Sequence, residues 1–134
     1  MAANKLLRFG PVALTTTTTT NVLNPPTLTG GTGLAGTNAN TYILIKHIRI
    51  TNKTASAAQA ALWLGATGAN AAGSEAIFGG VASGGALTRG VSVPGQSYID
   101  WYGTLRMDAA DFLVGGSDTA TALTIEAEGE IGIA

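Results

Sequence analysis

Residues 41–52 read TYILIKHIRITN, and no other stretch restricts the fold of this chain as tightly. Half of these side chains are β-branched; they lose χ1 freedom against a helical turn and pack well on a pleated surface. The stretch predicts a long strand. Its two faces would carry Tyr42, Leu44, Lys46, Ile48 and Ile50 on one side and Ile43, Ile45, His47, Arg49 and Thr51 on the other. Its first half is apolar on both faces, which predicts cover on both sides at that end, in a sandwich or at a subunit contact.

The next stretches of the chain have the same character. After a turn at Lys53–Ser56, AAQAALWLG (57–65) alternates Ala58, Ala60, Leu62 and Leu64 against Gln59, Ala61 and Trp63, the expected second half of an antiparallel pair. LTRGVSV (87–93), SYIDWYG (97–103) and TLRMDAADFLVGG (104–116) predict further strands, with turns at Pro94-Gly95 and at Asp108–Asp111. TALTIEAEGEIGI (121–133) predicts a closing strand with Leu123, Ile125 and Ala127 on one face and Thr124, Glu126 and Glu128 on the other. Nothing carries a helical period with caps. Short strands separated by frequent turns indicate an all-β antiparallel sandwich or barrel.

Residues 1–40 look different. KLLRF (5–9) and VALTT (12–16) predict two short strands joined by Gly10-Pro11. A threonine run and the Pro- and Gly-rich stretch NVLNPPTLTGGTGLAGTNAN come next, and these read as extended and irregular. So long an irregular segment is uncommon in a compact domain and is usually functional. The expectation is an extended N-terminal arm over 1–40, ordered by an assembly partner, and a β-sandwich over 41–134.

Composition narrows the chemistry. Only 11% of the 134 residues are charged and there is no cysteine, so thiolate catalysis, disulfides and thiolate metal sites are excluded. The N-terminus has neither a signal-peptide core nor the ~20 apolar residues of a membrane span. No membrane association or secretion leader is expected. Net charge is −1, so the basic surface that nucleic-acid binding requires is missing. The charges are unevenly placed: every acid lies at or after Glu75, while Lys5, Arg8, Lys46, Arg49 and Lys53 precede it. Such asymmetry attracts a neighbouring copy or cancels within one folded body.

The candidate sites are few. GTGLAG (31–36) matches the dinucleotide fingerprint G-x-G-x-x-G. It comes after two prolines rather than a buried strand and precedes a strand rather than a helix, with no acid at ribose distance, so no nucleotide cofactor is expected. His47, the single histidine, would need a partner such as Asp100 brought in by the fold to act in acid–base chemistry. Asp108 and Asp111 are expected to accept backbone hydrogen bonds at a corner; calcium binding or a glycosidase pair are weaker alternatives. Glu126, Glu128 and Glu130 recur at period two and line one strand face, either solvated or paired with basic residues of an adjacent subunit such as Lys5 and Arg8. Trp63, Tyr98, Trp101 and Tyr102 are expected in the core, with a carbohydrate platform as the alternative. No catalytic residue, metal or cofactor is expected, and a small hydrolase or isomerase ranks below a structural role.

The stretches YILIKHIRITNKTASAAQAALWLGATG and VPGQSYIDWYGTLRMDAADFLVGG, with the final TALTIEAEGEIGI, resemble small β-sandwich structural proteins of tailed bacteriophages. The shared pattern is a strand ending in I-x-N-x-T, a second strand, a Pro-Gly turn, an aromatic strand, a hairpin and a closing strand. Such domains are similar to jelly-roll capsid decoration (cement) proteins and to some minor tail and adsorption components. The resemblance covers roughly residues 42–133, and the Thr/Gly/Pro arm departs from it. It implies a jelly-roll-like fold and a homo-oligomer, often a trimer. It also implies a place on the capsid surface against the major capsid protein, after synthesis in the host bacterial cytoplasm. The alternative is a minor tail or host-adsorption protein binding a surface glycan. Expected contact residues are Lys5, Leu6, Leu7, Arg8 and Phe9 of the arm, with Glu126, Glu128 and Glu130.

Overall fold

The computed structural model describes residues 4–18, 21–23, 41–65, 75–76, 80–108 and 111–133. Among them are eleven strands: β1 (Lys5–Ala13), β2 (Asn21–Leu23), β3 (Thr41–Asn52), β4 (Ala58–Gly65), β5 (Glu75–Ala76), β6 (Val81–Ser83), β7 (Ala86–Arg89), β8 (Val91–Val93), β9 (Tyr98–Met107), β10 (Phe112–Ser117) and β11 (Leu123–Ile133). All pairings are antiparallel. The first sheet has the order β1-β11-β3-β9. The second has the order β2-β10-β4-β5, with β8 also pairing along β4, and β6-β7 form a small separate hairpin. The all-β antiparallel sandwich expected from the sequence is the observed architecture.

Ile43, Ile45, Ile48 and Ile50 of β3 face the core together with Leu123, Ile125 and Ala127 of β11. Ala58, Ala60 and Leu62 of β4, Val93 of β8 and Leu113 of β10 meet them from the second sheet. Four isoleucines at 43, 45, 48 and 50 cannot share one face of a regular strand, because the side-chain period is two. A register shift resolves this. The inward row Gly129–Ile45–Leu105 gives way to the inward row Ala127–Ile48–Trp101, so β11 advances two residues, β3 three and β9 four. Lys46 and His47 take up the shift and turn away from the core. A bulge, which re-aims side chains, brings Ile48 and Ile50 onto the face of Ile43 and Ile45, while Tyr42 and Leu44, half-buried, stay on the opposite face.

β1 has the same device. Phe9 pairs with Ala127 and Val12 with Ile125, so Gly10 and Pro11 form a bulge within one strand rather than a link between two. Gly10 sits at φ +86°, and a Cβ there would press on the Ile125 carbonyl, so glycine is required. The shift lets Leu7, Phe9 and Leu14 all enter the core.

The expected boundary at residue 41 is corrected by the same contacts. Residues 5–18 are an integral edge of the sandwich, and β2 pairs with β10, because their apolar side chains fill the core once the bulge sets the phase. Residues 24–40, including GTGLAG, lie outside the described residues.

Two further expectations change. β3 and β4 do not pair; they lie in opposite sheets and the chain arches between them. Asn52 holds the arch. Its buried amide donates to the carbonyls of Ser56 (2.9 Å) and Val93 (3.1 Å), while its oxygen accepts from the Thr54 amide and hydroxyl. The I-x-N-x-T pattern is therefore a corner motif that satisfies backbone groups where the chain leaves one sheet. Residues 87–93 likewise form two strands in different sheets, broken at Gly90, whose amide donates to the Gln59 side chain (2.8 Å).

Candidate functional site

The outward face of the first sheet gathers most of the charged side chains of the chain. Cross-strand register places Arg8, Glu128, His47 and Tyr102 in one row over four strands. The neighbouring row carries Glu126, Arg49 and Asp100. Antiparallel pairing holds such neighbours about 4.5–5.5 Å apart at Cβ, close enough for side chains to pair.

Asp100 is the centre of this face. It accepts from His47 Nε2 at 2.8 Å and from Arg49 through Nε at 2.8 Å and a terminal nitrogen at 3.0 Å. The bidentate Arg49 fork, then the His47 bond, hold its carboxyl at about 2, below the ordinary 3.8. Arg49 in turn is held more strongly protonated than usual by the same hydrogen bond. His47 stacks on Tyr102 with ring centroids 4.6 Å apart and planes 15° from parallel. Arg49 lies over the Tyr98 ring at 4.2 Å, and Arg106 over the Tyr42 ring at 4.6 Å.

The fold thus brings His47 to Asp100, two residues 53 positions apart in the sequence. Among the described residues the pair's partners are Arg49 and Tyr102. Asp100 is shared with a permanently charged guanidinium, and the imidazole is pinned against a tyrosine. Among the described residues no group of three or more His, Asp or Glu could hold a metal ion.

Beside this network lies an open depression of about 640 Å³, lined by Leu6, Arg8, Lys46, His47, Glu128 and Glu130. The expected contact residues divide here. Leu6 is 93% exposed and Arg8 faces solvent, whereas Leu7 and Phe9, each 5% exposed, belong to the core and are unavailable to a partner. Lys5 pairs with Ile131 through its backbone. Its side chain lies outside the described residues. Glu126 and Glu130 have partners in their own chain: Arg8 at 3.4 Å and Lys46 at 2.5 Å. The Arg8–glutamate pairing, offered from the sequence as an inter-subunit alternative to a solvated face, is made within one sheet here, because β1 is the neighbour of β11.

The aromatic residues also divide. Trp63 is buried and Trp101 is half-buried against the core, while Tyr98 and Tyr102 are 52% and 70% exposed. Alternation along 98–102 was the available signal, since Tyr98, Asp100 and Tyr102 share a face. Asp108 and Asp111 close the corner after β9: the Asp108 amide donates to the Asp111 carboxylate (2.8 Å) and the Asp111 amide to the Asp108 carbonyl (3.0 Å). Arg106 also donates to Asp108 at 2.6 Å.

No protein-family model matches the chain, and no curated protein matches it. Among solved structures, it is similar to a pentameric capsid protein isolated from metagenomic phage sequences, at 17% identity and a TM-score of 0.33. A second structure of such a protein, solved by iodide SAD phasing, gives 17% identity and a TM-score of 0.31. The matches cover 97% of this chain, which spans 58% and 66% of those two chains.

Proposed function

We propose that this protein is a non-enzymatic virion structural protein of a tailed bacteriophage. Its role is capsid decoration: a homotrimer on the outer surface of the shell, bound to the major capsid protein. The observation that carries this is the strand order. A first sheet β1-β11-β3-β9 faces β2-β10-β4, with β8 paired along β4, and six connections cross between the two sheets; this supports reading the winding as that of a jelly roll, an architecture of viral capsid domains. The phage resemblance of residues 42–133 supports the same role.

Exposed Leu6 and the depression beside it supply a contact surface at the β1 edge, and the Pro- and Gly-rich sequence of residues 24–40 suits a contact with the partner. An extended segment gains backbone hydrogen bonds by adding to a sheet edge. Self-association through Leu6 and Arg8 would cover the open edge, which otherwise invites aggregation.

Immunogold labelling of purified particles tests the role. Gold spread over the head supports decoration. Gold on the tail replaces it with adsorption, and absence of label from intact particles overturns a virion-surface role. Native mass spectrometry reads the copy number, and a ring of any other order removes the trimer.

A further inference from the structure

The first sheet's outer face presents tyrosine rings in an unusual setting. Tyr98 and Tyr102 project from the same side of β9, four residues apart, hence about 13 Å along the strand. One face of each ring is already occupied, by the Arg49 guanidinium and the His47 imidazole respectively. Exposures of 52% and 70% therefore leave the other face of each ring to solvent. The props are themselves fixed by Asp100, so both rings are held in place before any ligand arrives.

The charges of this stripe cancel locally. Asp100 is matched by Arg49 and His47, and Arg106 by Asp108. An anion, a cation or a polynucleotide would find no excess of opposite charge. Between the two tyrosines the outward side chains of β3 and β9 are Thr51, Arg49, His47 and Asp100, with no aliphatic group among them. The buried centre of a protein interface is depleted in charge and more apolar than the general surface. A stripe of flat rings alternating with hydrogen-bonding groups suits a different ligand. Pyranose rings offer C–H faces to aromatic faces, and their vicinal hydroxyls match a carboxylate beside a guanidinium.

We propose that the Tyr98–Asp100–Tyr102 stripe is a binding site for a neutral oligosaccharide. Tyr98 and Tyr102 are its stacking platforms, and Asp100 with Arg49 is the pair that meets sugar hydroxyls. The site is independent of whether the protein sits on a head or a tail.

The test is an array of neutral hexose and deoxyhexose oligosaccharides, printed beside sialylated and uronate-containing ones, probed with the full chain. Calorimetry with the best neutral glycan then gives the affinity. Retention of a neutral glycan is expected, with Kd raised about tenfold by Tyr102→Ala. Tyr98→Ala should also weaken binding, and Tyr102→Phe should preserve it, all with unchanged melting temperature. The affinity should change little over about a tenfold rise in salt, because no net charge pairing is involved. The proposal is overturned if no neutral glycan is retained, if only acidic glycans bind, or if Tyr98→Ala and Tyr102→Ala leave binding intact. It is also overturned if Tyr102→Ala releases the protein from capsids while no sugar binds, since the tyrosines would then form a protein contact.

Discussion

The two sheets of the sandwich share a core and differ in what lies on their outer faces. On the first sheet the outward side chains are largely charged or aromatic, and several pair across strands, from Arg8–Glu126 to Arg49–Asp100. On the second, Ala61, Trp63 and Val114 are buried yet stand apart from the central core cluster, and Trp63 is directly opposite Val114. Something covers that face, and the chain itself supplies part of the cover. Thr15–Thr18 lies against Gly116, where a Cβ would meet the Thr15 carbonyl and the Thr18 backbone. The Ser117 amide donates to the Thr15 carbonyl (2.8 Å), and the Thr18 amide to Gly85 at the tip of the β6-β7 hairpin (2.9 Å). Small residues permit a second layer to approach; a charged row with its own partners tolerates water. Among the described residues, free surface for partners is therefore concentrated on the first sheet.

The sharpest way to break this comparison is to truncate one large ring on each outer face. Trp63→Ala should cost about 3–5 kcal/mol through the cavity it leaves, whereas Tyr102→Ala should stay within about 0.5 kcal/mol. Urea titrations giving similar losses for both would mean that the second sheet is no better covered than the first.

A smaller effect tests the arch that sends the chain from one sheet to the other. Asn52→Ala leaves the Ser56 and Val93 carbonyls without that donor and should cost about 1–3 kcal/mol. Thr54→Ala, which removes one hydroxyl contact, should cost less. Equal stability of Asn52→Ala and the wild type would show that backbone pairing alone holds the corner.

The Asp100 carboxyl is held at about 2 in the folded state, below its ordinary 3.8. Its contribution is thus present above about pH 4 and is lost as pH falls toward about 2. The stability gap between wild type and Asp100→Asn should be full at neutral pH and should shrink across that window. A gap that stays constant through the whole window would mean that the Arg49 and His47 contacts do not hold the carboxylate in its charged form.

Much of the fold was legible because it depends on local chemistry. β-Branched runs, period-two alternation at 58–64 and 123–128, and acids at the 108–111 corner each specify a local conformation. The site was legible only in part. Alternation assigned the glutamates to one face of their strand and was available, though not used, to group Tyr98, Asp100 and Tyr102; nothing in the chain order shows that β11 and β9 flank β3. Trp63 and Tyr102 look equivalent as aromatic residues in strands, and only the second layer over β4 and β10 separates them.

By itself the sequence determined the all-β class, the absence of thiol chemistry and most strand positions, since these depend on side-chain shape, residue type and short-range periodicity. Tertiary structure decided that residues 5–18 belong to the sandwich and that the Lys46–His47 bulge gathers four isoleucines onto one face. It also decided that Arg8 pairs with a glutamate of its own chain and that His47 and Arg49 share Asp100. These outcomes rest on register between strands distant in sequence. A shift of one residue there turns every side chain beyond it to the opposite face, and only the packed core selects which register is kept.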